Sequence, residues 1–283
     1  MGGEILESRV CFKDVGPVTI NQKIFHLIGN NYIKQLLLIG GLPIKYPMSP
    51  KLTDIFVKVA SMNSFHSHYL NRDILNFSNH VGNVSIVIDI GGGNSPYKDI
   101  FRCKQYISLD IEKRDAKLNV LGDICHLPIK NNSVDMIVCT EVIEHVSETL
   151  RALRELKRVV KPEGYIIITT PFIIGQHETV DFYRFTSMGL EKLFEDVDLK
   201  IIEINKRGGI FSCMGSVLTH IPQTLINKDK ANPITYGFVF FYLLLLVPIS
   251  KILLVLDNFD RKKDYTLGFN VLLKKAKSDL KTR

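Results

Sequence analysis

The sequence predicts an α/β protein built on a doubly wound, mostly parallel sheet. Three observations predict it. Residues 85–90 (Ser-Ile-Val-Ile-Asp-Ile) form a β-branched run that ends in Gly91, Gly92 and Gly93, the pattern of a strand buried on both faces. From 85 to 172, apolar runs alternate with helix-like stretches through short loops, which demands parallel strands covered by helices on both faces. Two acids at strand ends, Asp89 and Asp110, lie 21 residues apart, a strand–helix–strand separation.

The chain has 283 residues, 46% of them hydrophobic and 23% charged, with a formal net charge of +7. That is a globular composition with room for one large domain and additions. The basic balance permits contact with an anionic membrane or with nucleic acid; a solvated basic surface is the simpler reading, and a nucleic-acid partner is not expected. The five cysteines, Cys11, Cys103, Cys125, Cys139 and Cys213, show no C-x-x-C pair and read as reduced core residues of a cytosolic protein. Residues 1–30 lack a basic start followed by an apolar run, so no signal peptide is expected.

Residues 1–80 carry weak periodicity broken by Pro43, Pro47 and Pro50, with helical spacing at Leu52, Ile55, Phe56 and Val59. His66, His68 and His80 fall here without a cysteine or acid at ligand spacing, which points to surface or core roles. The first strand follows. In its turn, Ser95 suits a helix cap and Pro96 the first helical turn. A dinucleotide fingerprint needs a third glycine where Pro96 stands, and no Gly-Lys-Ser/Thr triplet supports a P-loop. Tyr106 to Asp110 is the second strand. Val120-Leu-Gly-Asp-Ile-Cys-His-Leu-Pro128 is a short apolar run and turn. Residues 133–140 form the next strand, ending at Thr140, then Glu141-Val-Ile-Glu-His145 and a helix over 147–160 capped by Ser147. Lys161-Pro-Glu-Gly164 stops that helix, residues 165–170 are a strand, and a helix covers 187–194.

Asp-x-Gly-x-Gly on Asp89, Gly91 and Gly93 resembles motif I of the class I S-adenosylmethionine (SAM) methyltransferases. Gly-Asp-Ile at 122–124 resembles their motif III. The resemblance spans residues 85–172 and implies a seven-stranded Rossmann-like sheet with an antiparallel pair at its edge. It implies that the glycine turn lies against the methionine part of SAM, with Asp89 close by. Asp110 would hold the ribose hydroxyls, Asp123 and the Ile124 N–H the adenine, and Thr140 would also line the cofactor. Residues 1–80 would precede the first strand as a lid. His177-x-x-x-Asp181-x-x-Arg184-x-Thr186 resembles the type 11 group that serves polysaccharide and secondary-metabolite pathways. Asp181 and Arg184 would then either hydrogen-bond a polyhydroxylated or anionic acceptor or form a structural ion pair that fixes their loop.

The Glu141, Glu144, His145 and His177 set leaves three readings open. In one, these residues bind a divalent cation such as Mg that holds an acceptor hydroxyl, as a similar Glu-x-x-Glu-His does in small-RNA and ubiquinone-pathway O-methyltransferases. In another, His145 or His177 is the general base. In the third, the pair caps a helix and orders the cofactor pocket.

Residues 199–205 and 265–274 read as strands, leaving 208–263 as an insertion longer than any hairpin loop. Within it, 234–256 is a nearly uncharged run broken by Pro248 and Lys251. A single span would strand the last strand across the bilayer. An interfacial or hairpin-like membrane contact, or a buried acceptor cap, is therefore expected, with Arg261-Lys262-Lys263 facing anionic lipid.

The expected organisation is a lid region at 1–80, a SAM-binding core at 81–207, the hydrophobic helical insertion at 208–263, and a last strand with a basic tail at 264–283. The expected function is methyl transfer from SAM to a small-molecule, glycan or lipid-linked acceptor, at oxygen. Two alternatives stand beside it: a non-catalytic SAM-binding module, and a metal-assisted O-methyltransferase for a nucleic acid or diol. The expected place is the cytoplasm, peripheral on the inner face of a membrane. The sequence leaves the oligomeric state open.

Overall fold

In the computed structural model, residues 64–93, 95–112, 118–176, 178–225 and 233–277 are described. They form one seven-stranded sheet with strand order β3-β2-β1-β4-β5-β7-β6. The strands are β1 (Val84–Ile90), β2 (Cys103–Asp110), β3 (Val120–Leu121), β4 (Val134–Thr140), β5 (Val160–Pro171), β6 (Leu199–Lys206) and β7 (Gly268–Lys275). The first five are parallel, and β7 runs antiparallel between β5 and β6.

Strand alternation sorts the apolar side chains between two layers. Ile88, Ile90, Ile137, Cys139, Ile166 and Ile168 pack on one face with Leu153 and Leu156 of α2 (Thr149–Val159) and Leu190 and Phe194 of α3 (Ser187–Glu195). Val87, Met136, Val138, Ile167 and Leu272 pack on the other with Leu70, Ile74 and Phe77 of α1 (Phe65–Val81). The Ser64 hydroxyl caps α1 by accepting from Ser67 N, and Thr186 caps α3 in the same way from Gly189 N.

Several local expectations are corrected. The glycine turn does not open into an α-helix: Ser95 takes φ 52°, and a single 3-10 turn, Lys98–Ile100, follows. Cys103 already begins β2, so too few residues separate the turn from the next strand for a helix and its return. The layer such a helix would supply comes from α1. Helix α2 starts at Thr149 with Glu148 at its N-cap and no side-chain cap bond, so Ser147 does not cap it. Residues 161–164 do more than stop a helix: they already belong to β5, with an irregular register opposite Val134 and Met136. The last strand begins at Gly268, three residues later than the alternation suggests. Residues 52–60 lie outside the described residues.

The insertion is a helical pair, α4 (Ile210–Leu225) and α5 (Pro233–Leu256). Its base is held by Asp257, which is 2% exposed. One carboxylate oxygen accepts from Tyr69 Oη of α1 at 2.8 Å and from Gly209 N at 2.8 Å, and also from Ser212 Oγ. The other accepts from Phe211 N and Ser212 N, each at 3.1 Å. The free N–H groups at the start of α4 are thus satisfied by an acid just past the end of α5. Asp260 adds a bond from Ile210 N at 2.9 Å. Replacing Asp257 by alanine orphans several buried donors, each worth about 1–3 kcal/mol. The expected outcome is a loss of about 3 kcal/mol or more in urea unfolding, with faster amide exchange at 209–213. Unchanged exchange there would count against this anchor.

Candidate functional site

The parallel register brings the carboxyl ends of β1, β2, β4 and β5 to one edge. Ligands of doubly wound sheets bind above such an edge. Gly91 and Gly93 have φ values of 67° and 45°, which L side chains rarely adopt. A Cβ on Gly91 would lie 2.4 Å from Val142 Cγ2, and one on Gly92 would lie 2.6 Å from the Asp89 carboxyl carbon. A Cβ on Gly93 would meet nothing within 4 Å, so the turn is tight beneath and open above.

Asp89 is fully buried, and Tyr106 Oη donates to it at 2.8 Å. Burial raises its carboxyl to about 7; the Tyr106 bond opposes the rise and the charge of Asp110 adds to it. Its second oxygen is buried without a hydrogen-bond donor. Asp110 ends β2 and accepts from Gly93 N and Glu112 N, each at 3.3 Å. The ribose candidate therefore also braces the glycine turn. Asp123 follows β3 and accepts from Cys125 N at 2.8 Å, a bond that lowers its carboxyl; its side chain is 46% exposed. Ile124 is buried beside it. Thr140 ends β4 opposite Thr169 of β5. Two exposed apolar residues, Ile111 and Leu121, sit next to Asp110 and Asp123 and offer faces for a flat ring. Their place at strand ends was the sequence signal for them.

The Glu-x-x-Glu-His stretch is not one face of an α-helix. Glu141 has φ 55°, and residues Ile143–His145 form a 3-10 turn. The Glu141 carboxylate points into the protein. It accepts from Thr169 Oγ1 at 2.8 Å, meets the Arg207 guanidinium at 3.0 Å and lies 3.4 Å from His66 Nε2. Burial pushes its carboxyl up, but Arg207 and then His66 outweigh this and hold it well below the usual range. Glu144 is fully buried, and among the described residues no side chain donates a hydrogen bond to its oxygens. Burial, and then the charge of Glu141, raise it well above the usual range. His145 places Nδ1 2.5 Å from the Val180 carbonyl and Nε2 3.6 Å from Glu144. A carbonyl only accepts, so Nδ1 carries the proton.

The expected cation set is corrected accordingly. Among the described residues no group of three or more His, Cys, Asp or Glu is placed to hold a metal: Glu141 is committed to Arg207, and His145 turns Nδ1 to the Val180 carbonyl. His177 lies outside the described residues. Asp181 and Arg184 form a two-pronged pair at 2.5 and 2.6 Å, and Arg184 also donates to Gly175 O at 3.3 Å. Their strongest bonds close the 175–184 loop on itself. Arg207 and His66 were not found from the sequence. Arg207 is fully buried and also donates to His66 Nε2 at 2.8 Å and to Thr170 O. The one signal for it was a cation followed by two glycines at the end of a strand.

A methyltransferase domain family matches residues 88–168, which contain the glycine turn, Asp110, Asp123 and Glu141 to His145. An uncharacterised protein of Methanocaldococcus jannaschii is 33% identical over 129 residues, covering 42% of this chain and 57% of that protein. A probable S-adenosylmethionine-dependent methyltransferase of Mycobacterium tuberculosis is 29% identical over 96 residues, 30% of this chain and 35% of that protein. The malonyl-[acyl-carrier protein] O-methyltransferase of Yersinia pestis is 30% identical, covering 30% and 36%. The chain thus spans about half or less of the length of these relatives. The crystal structure of a putative sarcosine dimethylglycine methyltransferase from Galdieria sulphuraria covers 72% of this chain and 82% of its own at 17% identity and a TM-score of 0.46.

Replacing Arg207 by leucine leaves the half-buried Glu141 without its cation, at a cost of about 3 kcal/mol. Adding Glu141→Gln in that background is expected to recover part of the loss in urea unfolding; additive losses would deny the pairing. Asp89 gives a pH test. Between about pH 4 and 7 the unfolded chain releases this proton while the folded chain keeps it, so stability falls as pH rises through that window and is level above it. Asp89→Asn is expected to gain in melting temperature over the parent from pH 5 to pH 8. A constant difference would contradict the buried, raised carboxyl.

Proposed function

We propose that this protein transfers a methyl group from S-adenosylmethionine to a small-molecule, glycan or lipid-linked acceptor, at oxygen. The observation that carries the reading is the grouping of an open glycine turn, Asp110 and Asp123 on one sheet edge, inside the stretch that matches a methyltransferase domain. The residues fit that cofactor: Asp110 suits two ribose hydroxyls, Asp123 with the Ile124 N–H suits adenine, and the space above Gly93 admits the methionine part. When bound, S-adenosylmethionine supplies an electrophilic methyl group on a sulfonium.

The chain's own share is mainly positioning, which alone is worth several orders of magnitude in rate. An oxygen acceptor must also lose a proton. His145 takes it on Nε2, because Val180 holds the proton on Nδ1. Arg184 and the exposed Phe182 and Tyr183 border the acceptor side, while Asp181, its side chain 1% exposed, holds Arg184 in place. The cation and the aromatic faces suit a sugar or an amphiphile with a polar head.

Calorimetry is expected to show binding of S-adenosylhomocysteine and none of NAD, and Asp110→Ala should weaken the former at least about tenfold by removing two charge-assisted hydrogen bonds. Labelled S-adenosylmethionine should mark a lipid or glycan fraction of a lysate, and His145→Ala should slow the labelling by about 10²–10⁴ with binding retained. Binding without any labelled acceptor would support a non-catalytic module instead. Loss of labelling on chelation would restore the metal-assisted reading.

A further inference from the structure

Helix α5 has two unlike faces. Val239, Leu243 and Leu246 pack toward α4, against Leu218, and Tyr242 Oη donates to Leu218 O at 2.9 Å. On the other side Phe238, Phe241, Leu245, Ile249, Ile252 and Val255 are exposed by 43–74%. At 100° per residue these six fall within an arc of about 120°. Only 22% of Gly237–Leu256 is buried in the chain. The helix of 24 residues is about 36 Å long. From Phe238 to Val255 the outward apolar arc runs about 26 Å, and an exposed apolar face of that size needs a nonpolar cover.

Two features say what the cover is. Among the described residues, the cations of the insertion lie outside the arc. Lys251 lies about 100° from its centre, where a long side chain can reach water, and Arg261, Lys262 and Lys263 follow the end of α5. Pairing two copies of α5 along this arc would bring those cations toward another cationic helix, whereas anionic headgroups would neutralise them. Topology then sets the pose. Lys206 pairs with Phe269 and Gly268 with Pro171, so the insertion leaves and rejoins the sheet at its carboxyl edge. A single crossing of the bilayer is excluded, because both ends are fixed to one edge. Arg207, the first residue of the insertion's base, touches Glu141. The base of the helical pair is therefore contiguous with the candidate site.

We propose that the outward arc of α5 lies in the interfacial layer of an anionic lipid bilayer, and that this fixes the carboxyl edge of the sheet at the membrane surface, where it meets acceptors embedded in that layer. The second half rests on the methyltransferase reading of the site; the first does not.

Co-flotation of the full chain with vesicles tests it. The chain is expected to float with phosphatidylcholine vesicles containing phosphatidylglycerol, and less with phosphatidylcholine alone. Phe238→Glu/Leu245→Glu should cut partitioning at least about tenfold, since each side chain gives up its apolar burial. Lys262→Glu/Lys263→Glu should remove only the preference for anionic lipid. Both pairs lie outside the cofactor residues, so S-adenosylhomocysteine binding should be unchanged and reports that they fold. Failure of the parent to float, or equal flotation of the Phe238/Leu245 variant, overturns the membrane proposal. So does a parent dimer that this variant turns into a monomer, which would put a second copy on the arc. Flotation without cofactor binding would instead overturn the methyltransferase reading and leave the membrane contact standing.

Discussion

A guanidinium with no exposed surface constrains the whole carboxyl edge of the sheet. Arg207 is fully buried, and an unpaired charge in that position is not tolerable. It is met by Glu141, His66 and the Thr170 carbonyl. These partners come from the turn after β4, from α1 and from β5. One side chain therefore ties together the segment before the sheet, the middle of the sheet and the root of the insertion. The same pairing explains the unusual state of its surroundings. Burial pushes the Glu141 carboxyl up but Arg207 holds it well below the usual range, whereas burial, and then the charge of Glu141, push Glu144 well above it.

A second buried acid repeats the logic a few residues away. Asp257 gathers the first N–H groups of α4 and the Tyr69 hydroxyl, so the helical insertion grows from a rigid root. Most of the outer face of α5 stays exposed, so burial along that face adds little to the rigidity. Directional bonds at the base add to the apolar contacts that Val239, Leu243 and Leu246 make further out. The site and the insertion thus share one polar foundation, with α1 contributing to both halves of it.

Much of this was legible in the residues. The buried strands, the acids at the ends of β1 and β2, and the Gly-Asp-Ile turn announce themselves through local rules: β-branched runs, glycines where φ must be positive, and acids where strands stop. The insertion was legible from the distance between two alternating segments. The state of Glu141 was not. Its spacing to Glu144 and His145 is that of a helical face, but a left-handed residue and a 3-10 turn send the three side chains to different partners. The helix expected after the glycine turn failed for a related reason, because the chain was already due back in the sheet and α1 occupied that face.

The sequence by itself determined the strand core and the positions of the candidate cofactor acids, because each depends on periodicity and on residues that are neighbours in the chain. Only the tertiary structure decided which charges meet. Glu141 and Arg207 are 66 positions apart in sequence, and His66 stands 75 positions before Glu141. No local pattern marks such a pairing. It exists because β7 inserts between β5 and β6 and returns the end of β6 to the edge where β4 stops, and there the buried Arg207 guanidinium meets the Glu141 carboxylate.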